Sequence, residues 1–298
     1  QLRKINRIQF KGQTVPFDDK NIKAAVDEIK NVPIDGLIRT SEKVFDLLTL
    51  GKSFEQVVGD AKKSFDLQYI DWKSPENNHY QVTEEFSVER NARYDTRRPD
   101  IVLFINGIPV VIIECKKPEK GSLEQAISQN IRNQREDEIP RLFIYSQILL
   151  AINKNGAQYG TTGTAIKFWS QWHERDDVSE PLGKLVNGQL TLEQKNALFQ
   201  DRFKYVRNYF DTMENEPRRI TGQDQILYNL CRPDRLVELI YKFILFEDSE
   251  KKIARYQQYY TVQDAMVRVK TYNDTGSRCG GVVWHTQGSG KSLTMVML

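Results

Sequence analysis

The chain has 298 residues, of which 39% are hydrophobic and 28% charged, and its net charge is only +3. This composition indicates a globular protein of one large or two ordinary domains and excludes a strongly basic protein that coats nucleic acid. No segment has the roughly 18 apolar residues of a membrane span, and the three cysteines and three histidines lack zinc-site spacing. We therefore expect a cytoplasmic protein with reduced thiols and no membrane partner.

The first 70 residues are predicted to be scaffold. Residues 8–10 predict a short strand, and apolar side chains at helical spacing predict a helix over 21–30. Ser41 is predicted to cap a helix that ends before Gly51, and Ser53 to begin a further helix that reaches Ala61.

Residues 80–88 alternate in part between polar and apolar side chains, which predicts a strand. A cluster of basic side chains follows: Arg90, Arg93, Arg97 and Arg98. Such a cluster suits contacts with DNA phosphates, and it is equally compatible with a solvated loop.

Residues 99–116 carry the most informative pattern of the chain. Asp100 opens an apolar run, Asn106-Gly107 follows, and a second apolar run leads into the tripeptide 114–116. Because both residues of Asn-Gly tolerate positive φ, the pattern predicts a β-hairpin. Side chains alternate along a strand, so Glu114 and Lys116 share a face and Cys115 points away.

The register of this hairpin decides whether Asp100 lies beside Glu114. A two-residue turn at Asn106-Gly107 pairs Asp100 with Ile113 and separates the two acids onto opposite faces. A three-residue loop or a bulge pairs Asp100 with Glu114 instead. A shared role for the two acids therefore predicts the longer loop or a bulge.

Two carboxylates and a lysine at one strand end suit phosphodiester hydrolysis. Hard oxygen ligands bind Mg²⁺, which lowers the pKa of a bound water and stabilises charge in the transition state. Lys116 would orient the attacking water or offset that charge. The alternative is that Asp100 caps a strand and that Glu114 and Lys116 form an exposed strand end.

Further elements follow in order. The segment 122–125 has the pattern of a capping box for a helix, and Pro140 is predicted to end the helical region. Residues 142–152 are predicted to be core, and 158–162 and 165–169 to be strands. Polar residues 176–189 predict a linker, followed by helices over 191–210 and from Pro233 onward.

The C-terminal residues contain a phosphate-binding loop. An apolar strand is predicted over 280–284, and the loop residues that follow include Thr286, Gly288, Ser289, Gly290, Lys291 and Ser292. Backbone N–H groups of such a loop approach phosphate, its lysine reaches the β/γ oxygens of ATP, and its serine ligates Mg²⁺. The helix from Leu293 would point its N-terminus at the anion. His285 stands where glycine or alanine is usual.

The hairpin segments 98–102, 106–109 and 114–116 closely resemble the nuclease core of the motor (restriction) subunit of type I restriction-modification enzymes, a branch of the PD-(D/E)xK superfamily. Residues 231–246 are similar to the segment that joins nuclease and motor in that family, and 253–265 to the start of a superfamily 2 helicase.

The resemblance implies an α/β fold with a restriction-endonuclease-like mixed sheet flanked by helices over 1–175. A helical linker over 176–245 and the beginning of a RecA-like P-loop ATPase domain over 246–298 would follow. We expect an N-terminal fragment of a larger protein, because the residues after 246 are too few for a complete ATPase domain.

The resemblance also implies roles for single residues. Asp100 and Glu114 would hold Mg²⁺, with the Cys115 carbonyl as a third ligand and Glu85, or alternatively Glu84, as an additional acid. Gln129 would belong to the Gln-x-x-x-Tyr element of related nucleases, although Asn133 stands where tyrosine is expected. A glutamine before the phosphate-binding loop would read adenine, and Gln258 fits this position better than Gln257.

The implied function is a Mg²⁺-dependent endonuclease that cuts double-stranded DNA after ATP-driven translocation, with methyltransferase and specificity subunits as partners. The alternative is a DNA-translocating ATPase whose nuclease-like domain only binds DNA or a partner, or a helicase with a decayed nuclease.

Overall fold

The computed structural model describes residues 1–91, 94–199, 204–213, 217–284 and 286–298. Within them the strands are β1 (Arg7–Phe10), β2 (Gln13–Pro16), β3 (Lys52–Val58), β4 (Ala61–Leu67), β5 (Tyr80–Glu84), β6 (Val88–Glu89), β7 (Thr96–Arg97), β8 (Ile101–Ile105), β9 (Ile108–Cys115), β10 (Ile148–Asn153), β11 (Gly156–Gly160), β12 (Ile244–Glu247) and β13 (Glu250–Ile253). The helices are α1 (Leu2–Ile5), α2 (Asp19–Lys30), α3 (Leu37–Leu50), α4 (Ser122–Asn133), α5 (Pro140–Phe143), α6 (Ser179–Val186), α7 (Leu192–Phe199), α8 (Lys204–Met213), α9 (Gly222–Cys231), α10 (Pro233–Lys242), α11 (Tyr256–Lys270) and α12 (Lys291–Met297).

A five-stranded mixed sheet forms the centre of the fold, in the order β11-β10-β9-β8-β5. Strands β9 and β10 are parallel, and the other neighbours in this sheet are antiparallel. Parallel neighbours need a crossover connection, and α4 lies in the segment between them. The sheet and its helices confirm the mixed α/β prediction.

Both faces of the sheet are covered. On one face Ile112, Leu149 and Ala151 pack with side chains of α4 and α5. On the other, Ile113 and Leu150 belong to a larger core that includes side chains of α2, α3, α9, α10 and α11. β9 is therefore buried on both sides, which accounts for its nearly unbroken apolar sequence.

The predicted helix over residues 53–61 is wrong, because β3 and β4 form a hairpin there. Gly59 turns the chain with φ 64°, and the inward side chains of β3 alternate at Phe54, Gln56 and Val58. The helix α3 ends before Gly51 as expected, but it begins after Gly36, so Ser41 lies inside it and does not cap it.

The capping-box prediction at 122–125 is also wrong. The residue before α4 is Gly121, in the left-handed conformation, and no side chain caps the helix. The hydroxyl of Ser122 instead accepts a hydrogen bond from Asn153 Nδ2 at 2.9 Å, tying α4 to β10. Pro140 begins α5 and does not end a helix.

Two predictions nearer the C-terminus need correction. Residues 165–169 contain a 3-10 turn (Ile166–Phe168) in place of a strand, and the expected linker contains α6. The predicted helix over 191–210 corresponds to α7 and α8, with 200–203 outside the described residues. α10 begins at Pro233 as predicted.

Residues 280–284 do not form the predicted strand, and the side chains of Val282 and Trp284 are 90% and 89% exposed. A strand needs a hydrogen-bonding neighbour, and none of the described strands lies beside this segment. His285 lies outside the described residues.

Residues 222–262 share one hydrophobic core with the sheet. Phe243 and Tyr259 pack in the same cluster as Ile152, and the Tyr159 hydroxyl donates a hydrogen bond to the Ala254 carbonyl at 2.8 Å. The domain boundaries at 175 and 245 stay a prediction. Throughout the described ranges, no helix combines the length and apolar character that crossing a membrane requires.

Candidate active site

The turn between β8 and β9 has two residues, and a bulge follows it. Asn106 and Gly107 have φ 53° and 82°, and Ile105 lies opposite Ile108. The register shifts between Leu103 and Phe104, which leaves Val110 as an extra residue on β9, so Ile101 lies opposite Ile113. Continuing this register places Asp100 opposite Glu114, and the predicted bulge is confirmed.

The side chain of Asn106 fixes this turn to the preceding segment. Its Nδ2 donates to the Tyr69 carbonyl at 2.9 Å and to Asn78 Oδ1 at 2.8 Å. Its Oδ1 accepts from the His79 N–H at 2.8 Å. The hairpin that carries the candidate acids is therefore anchored at the end opposite to them.

The carboxylates of Asp100 and Glu114 lie together at the other end of the hairpin. Asp100 Oδ2 accepts a hydrogen bond from the Cys115 N–H at 2.6 Å. Glu114 is fully buried. Burial raises the pKa of Glu114 to about 8, with a further contribution from the negative charge of Asp100, while Lys116 opposes the shift.

Gln129 of α4 connects the acid to the lysine. Lys116 Nζ donates to Gln129 Oε1 at 2.7 Å, and Gln129 Nε2 donates to Glu114 Oε2 at 2.6 Å. The amide thus holds Lys116 and Glu114 at a fixed separation on the α4 side of the sheet. The structure brings together Asp100, Glu114, Lys116 and Gln129, as the sequence predicted.

Asn133 belongs to the same constellation, and sequence reasoning assigned it no role. Its side chain is 1% exposed, and its Nδ2 donates to Glu114 Oε1 at 3.3 Å. Positions four apart share a helix face, so the spacing from Gln129 was the available signal. Amides one helical turn apart therefore contact both oxygens of Glu114.

Glu85 is placed differently from the two acids. Its backbone takes φ 44°, which ends β5 at Glu84, and its N–H donates to the Asp100 carbonyl at 2.9 Å. Both Glu84 and Glu85 are exposed. Among the described residues, no three His, Cys, Asp or Glu side chains form a group that could hold a metal. A third acid in the site stays a prediction.

The oxygen donors fit Mg²⁺ without that third acid. Two carboxylates share one face, and the carbonyl of Cys115 belongs to the residue between Glu114 and Lys116. Mg²⁺ is commonly held by one or two carboxylates and keeps several waters. Burial and then the charge of Asp100 raise the pKa of Glu114, and a bound cation would favour its ionised form.

Two of the predicted phosphate-binding arginines are used inside the protein. Arg90, with a side chain 5% exposed, pairs with Asp95 at 2.8 Å and Glu138 at 3.0 Å. Arg97 Nε donates to Glu138 Oε2 at 2.6 Å. These pairs join the β6–β7 hairpin to the segment after α4, so both guanidinium groups have acidic partners within the protein, and phosphate contact by either stays a prediction. Arg93 lies outside the described residues, and Arg98 is exposed.

Family comparisons bear on this geometry. Residues 1–167 match the family model described as the type I restriction enzyme R protein N terminus. This chain belongs to the type I restriction enzyme R protein family. The match contains the whole β8–β9 hairpin and α4, and residues 257–298 of the R-protein chain match the SWI2/SNF2 ATPase model.

Curated relatives agree with this assignment. The putative type I restriction enzyme MjaIXP endonuclease subunit of Methanocaldococcus jannaschii is 32% identical over 262 residues, 85% of this chain and 23% of the relative. The HindI endonuclease subunit of Haemophilus influenzae is 29% identical over 269 residues, 88% of this chain and 22% of the relative. The R-protein chain thus spans less than a quarter of the length of these relatives.

In this chain the segment predicted to bind phosphate forms a turn before α12. Gly288 and Gly290 have φ 79° and 80°, and Lys291 Nζ donates to the Thr286 carbonyl at 2.9 Å. α12 begins at Lys291, two residues earlier than predicted. Ser292 is exposed and Ser289 half-buried.

Gln258 packs directly against this loop. Its side chain is buried, and its Nε2 donates to the Gly290 carbonyl at 3.2 Å. A Cβ at position 290 would lie 2.4 Å from that nitrogen and would displace the Gln258 amide, and the φ of 80° at Gly290 also favours glycine. Gln257 is exposed. The contact favours Gln258 over Gln257 as the loop's partner, and its role in reading adenine stays a prediction.

Proposed function

We propose that this chain supplies the nuclease centre of a type I restriction enzyme, which hydrolyses phosphodiester bonds of double-stranded DNA with Mg²⁺. The observation that carries the proposal is the hydrogen-bonded series Lys116–Gln129–Glu114, with Asp100 beside it. The relatives that support it bear the name endonuclease subunit.

Each side chain has a distinct part in this chemistry. Asp100, Glu114 and the Cys115 carbonyl would hold Mg²⁺, which supplies an acidified water and positive charge for the transition state. Lys116, held by Gln129, orients the attacking water or offsets the negative charge of the phosphate. Gln129 and Asn133 keep the Glu114 carboxylate in one orientation.

A second centre would bind ATP. Thr286, Gly288, Ser289 and Gly290 would surround the phosphates, Lys291 would reach the β/γ oxygens, and Ser292 would ligate the Mg²⁺ of ATP, with Gln258 at the adenine. The SWI2/SNF2 ATPase match over 257–298 supports this part. In the full-length enzyme we propose ATP-driven translocation in the company of methyltransferase and specificity subunits.

The test uses the full-length subunit assembled with those partners, and follows cleavage of unmodified DNA and ATP hydrolysis together. Glu114→Gln and Lys116→Ala are expected to lower cleavage by roughly 1,000-fold, because each removes a group that acts on the transition state. DNA-stimulated ATP hydrolysis should persist. Lys117→Ala is the matched control, since Lys117 is an exposed neighbour that makes no contact with Gln129.

Full cleavage by both Glu114→Gln and Lys116→Ala would contradict the nuclease assignment. The hairpin would then belong to a domain that binds DNA or a partner, next to a translocating ATPase.

A further inference from the structure

An open groove runs along the exposed side of α4, starting at Lys116. Its volume is about 560 Å³, and its lining includes Gln125, Ser128, Arg132 and Arg135. These four positions are separated by three, four and three residues, so they follow one face of the helix and the turn after it. Gln129 lies on the same face, at the inner end of the groove.

The arginines of this groove differ from Arg90 and Arg97. Arg132 donates only to the neutral amide oxygen of Asn133, at 3.2 and 3.4 Å. In the part of the chain that the structure describes, neither Arg132 nor Arg135 has an ion pair with an acid. The acid in the lining, Glu124, lies two helical turns before Arg132. The groove near residues 132–135 therefore presents two exposed guanidinium groups without an ion pair among the described residues, while Glu114 and Glu138 act on Arg132 only at longer range.

We propose that the groove is the track on which the DNA backbone lies, with Arg132 and Arg135 binding the phosphates next to the one at Lys116. This inference rests on the proposed nuclease function and assigns its DNA-binding surface. The guanidinium group is suited to phosphate because it presents planar, bidentate donors. Gln125 and Ser128 supply neutral donors farther along the same face.

The spacing agrees with a nucleic-acid backbone. From Gln129, which touches Lys116, to Arg132 the rise along α4 is roughly 4.5 Å at 1.5 Å per residue, and Arg135 lies in the turn after the helix. One strand of duplex DNA presents a phosphate about every 3.4 Å of helix axis. The cations at 116, 132 and 135 are therefore close enough together to contact neighbouring phosphates of one strand.

Arg132 also links the groove to the acids. It donates to Asn133 Oδ1, and Asn133 Nδ2 donates to Glu114 Oε1. A phosphate bound at Arg132 would therefore be held at a fixed distance from Glu114. The scissile phosphodiester bond would thereby be positioned relative to the acids.

If Arg132 only stabilised the end of α4, its removal would have a different effect. Cations near a helix C-terminus stabilise the helix through its dipole, and Arg132 lies in the last turn of α4. Replacing an arginine that had only this role would lower the melting temperature and leave the affinity for DNA unchanged.

The experiment measures binding of the 298-residue chain to a fluorescein-labelled duplex of about 20 base pairs, by fluorescence anisotropy in Ca²⁺ across a series of KCl concentrations. Arg132→Ala and Arg135→Ala are each expected to weaken binding roughly tenfold. The double variant should reduce the slope of log affinity against log salt by about 2. Arg39→Ala is the matched control, because Arg39 is an exposed helical arginine that is not among the residues lining the groove.

Unchanged affinity and salt slope in the double variant would overturn the proposal, as would an equal loss in Arg39→Ala. A lower melting temperature with unchanged binding assigns the arginines to the helix end, and a wild-type chain that binds no duplex at low salt rejects the track. Failure of the nuclease proposal is recognised separately, by continued cleavage in Glu114→Gln and Lys116→Ala, because the binding assay does not depend on cleavage.

Discussion

Glu114 occupies an environment that opposes its ionisation. It is buried, it faces Asp100, and amides from α4 contact both of its oxygens. Burial raises its pKa to about 8, whereas in the unfolded chain it titrates at its ordinary value of 4.5. The folded state therefore holds a proton between these two values that the unfolded state releases.

This difference makes stability depend on pH when divalent cations are absent. The free energy of unfolding is expected to fall as pH rises from about 5 to about 8. Over this range Glu114 is ionised in the unfolded chain but protonated in the folded chain, so a rise in pH favours the unfolded state until the folded pKa is reached. Mg²⁺ should raise the melting temperature most near pH 8, by favouring the ionised pair. Melting curves in EDTA and in Mg²⁺ between pH 5 and 8.5 measure both effects.

Glu114→Gln is the control for that experiment, since it keeps the shape and removes the titration. The variant should show a flatter pH profile and a smaller response to Mg²⁺. An unchanged profile in this variant would assign the pH dependence to other groups.

Site residues could be predicted where the interacting side chains are close together in the sequence. Asp100, Glu114, Lys116 and Gln129 lie within 30 residues; strand alternation placed Glu114 and Lys116 on one face, the hairpin register was left open for Asp100, and Gln129 was implied only by the family resemblance. The pairing of Arg90 and Arg97 with Glu138 spans more than 40 residues, and nothing in the local sequence indicates it. Asn133 was overlooked because its role depends on which face of α4 meets the sheet.

The β8–β9 hairpin owes its register to two separate features, a tight turn and a bulge. Asn106 serves the turn twice, through its positive φ and through the contacts of its side chain with Tyr69, Asn78 and His79. Replacements at this position can separate the two contributions.

Asn106→Ala is expected to lower the free energy of unfolding by about 3 kcal/mol, because it loses the hydrogen bonds and strains the backbone. Asn106→Gly loses the same bonds but accepts positive φ, so its cost should be about 1 kcal/mol smaller. Urea denaturation followed by circular dichroism measures both. Equal costs for the two variants would show that the backbone conformation contributes nothing.

Strands and helices were predicted best where the hydrophobic pattern and the turn or cap residues indicated the same element. The Asn-Gly hairpin and α10 combine an apolar pattern with a turn dipeptide or a proline at the helix start. Residues 53–61 were predicted wrongly because their apolar residues also fit helical spacing, and Gly59 was the overlooked signal. The segment 280–284 has the composition of a strand, but strand formation depends on a neighbour that composition does not reveal.

Across the whole molecule, Lys251 joins parts that are far apart in sequence. Its Nζ donates to Ser41 Oγ of α3 at 3.1 Å, to the Ser146 carbonyl at 2.9 Å and to Gln147 Oε1 at 2.8 Å. The side chain is buried, and its hydrogen-bond acceptors are all neutral. Burial lowers the pKa of Lys251 well below its ordinary value of 10.5.

Because the folded state disfavours the charged amine, the contribution of Lys251 to stability grows as pH rises from 7 towards its unfolded pKa. Lys251→Met removes the titration, so the free energy of unfolding of the wild type should rise relative to that of the variant between pH 7 and pH 9. Urea titrations at three pH values in saturating Mg²⁺ measure this difference without the opposite trend of Glu114. A constant difference would show that Lys251 keeps its charge when buried.

The parallel pairing of β9 with β10 determines when the centre can exist during synthesis. The acids and Lys116 leave the ribosome first, and we expect α4 to take its place only when β10, ending at Asn153, is available to close the sheet. Until then Glu114 and Lys116 would lack Gln129, which holds them together in the folded chain. If the proposed nuclease function holds, we expect a nascent or partly unfolded chain to carry the reactive side chains without cutting activity.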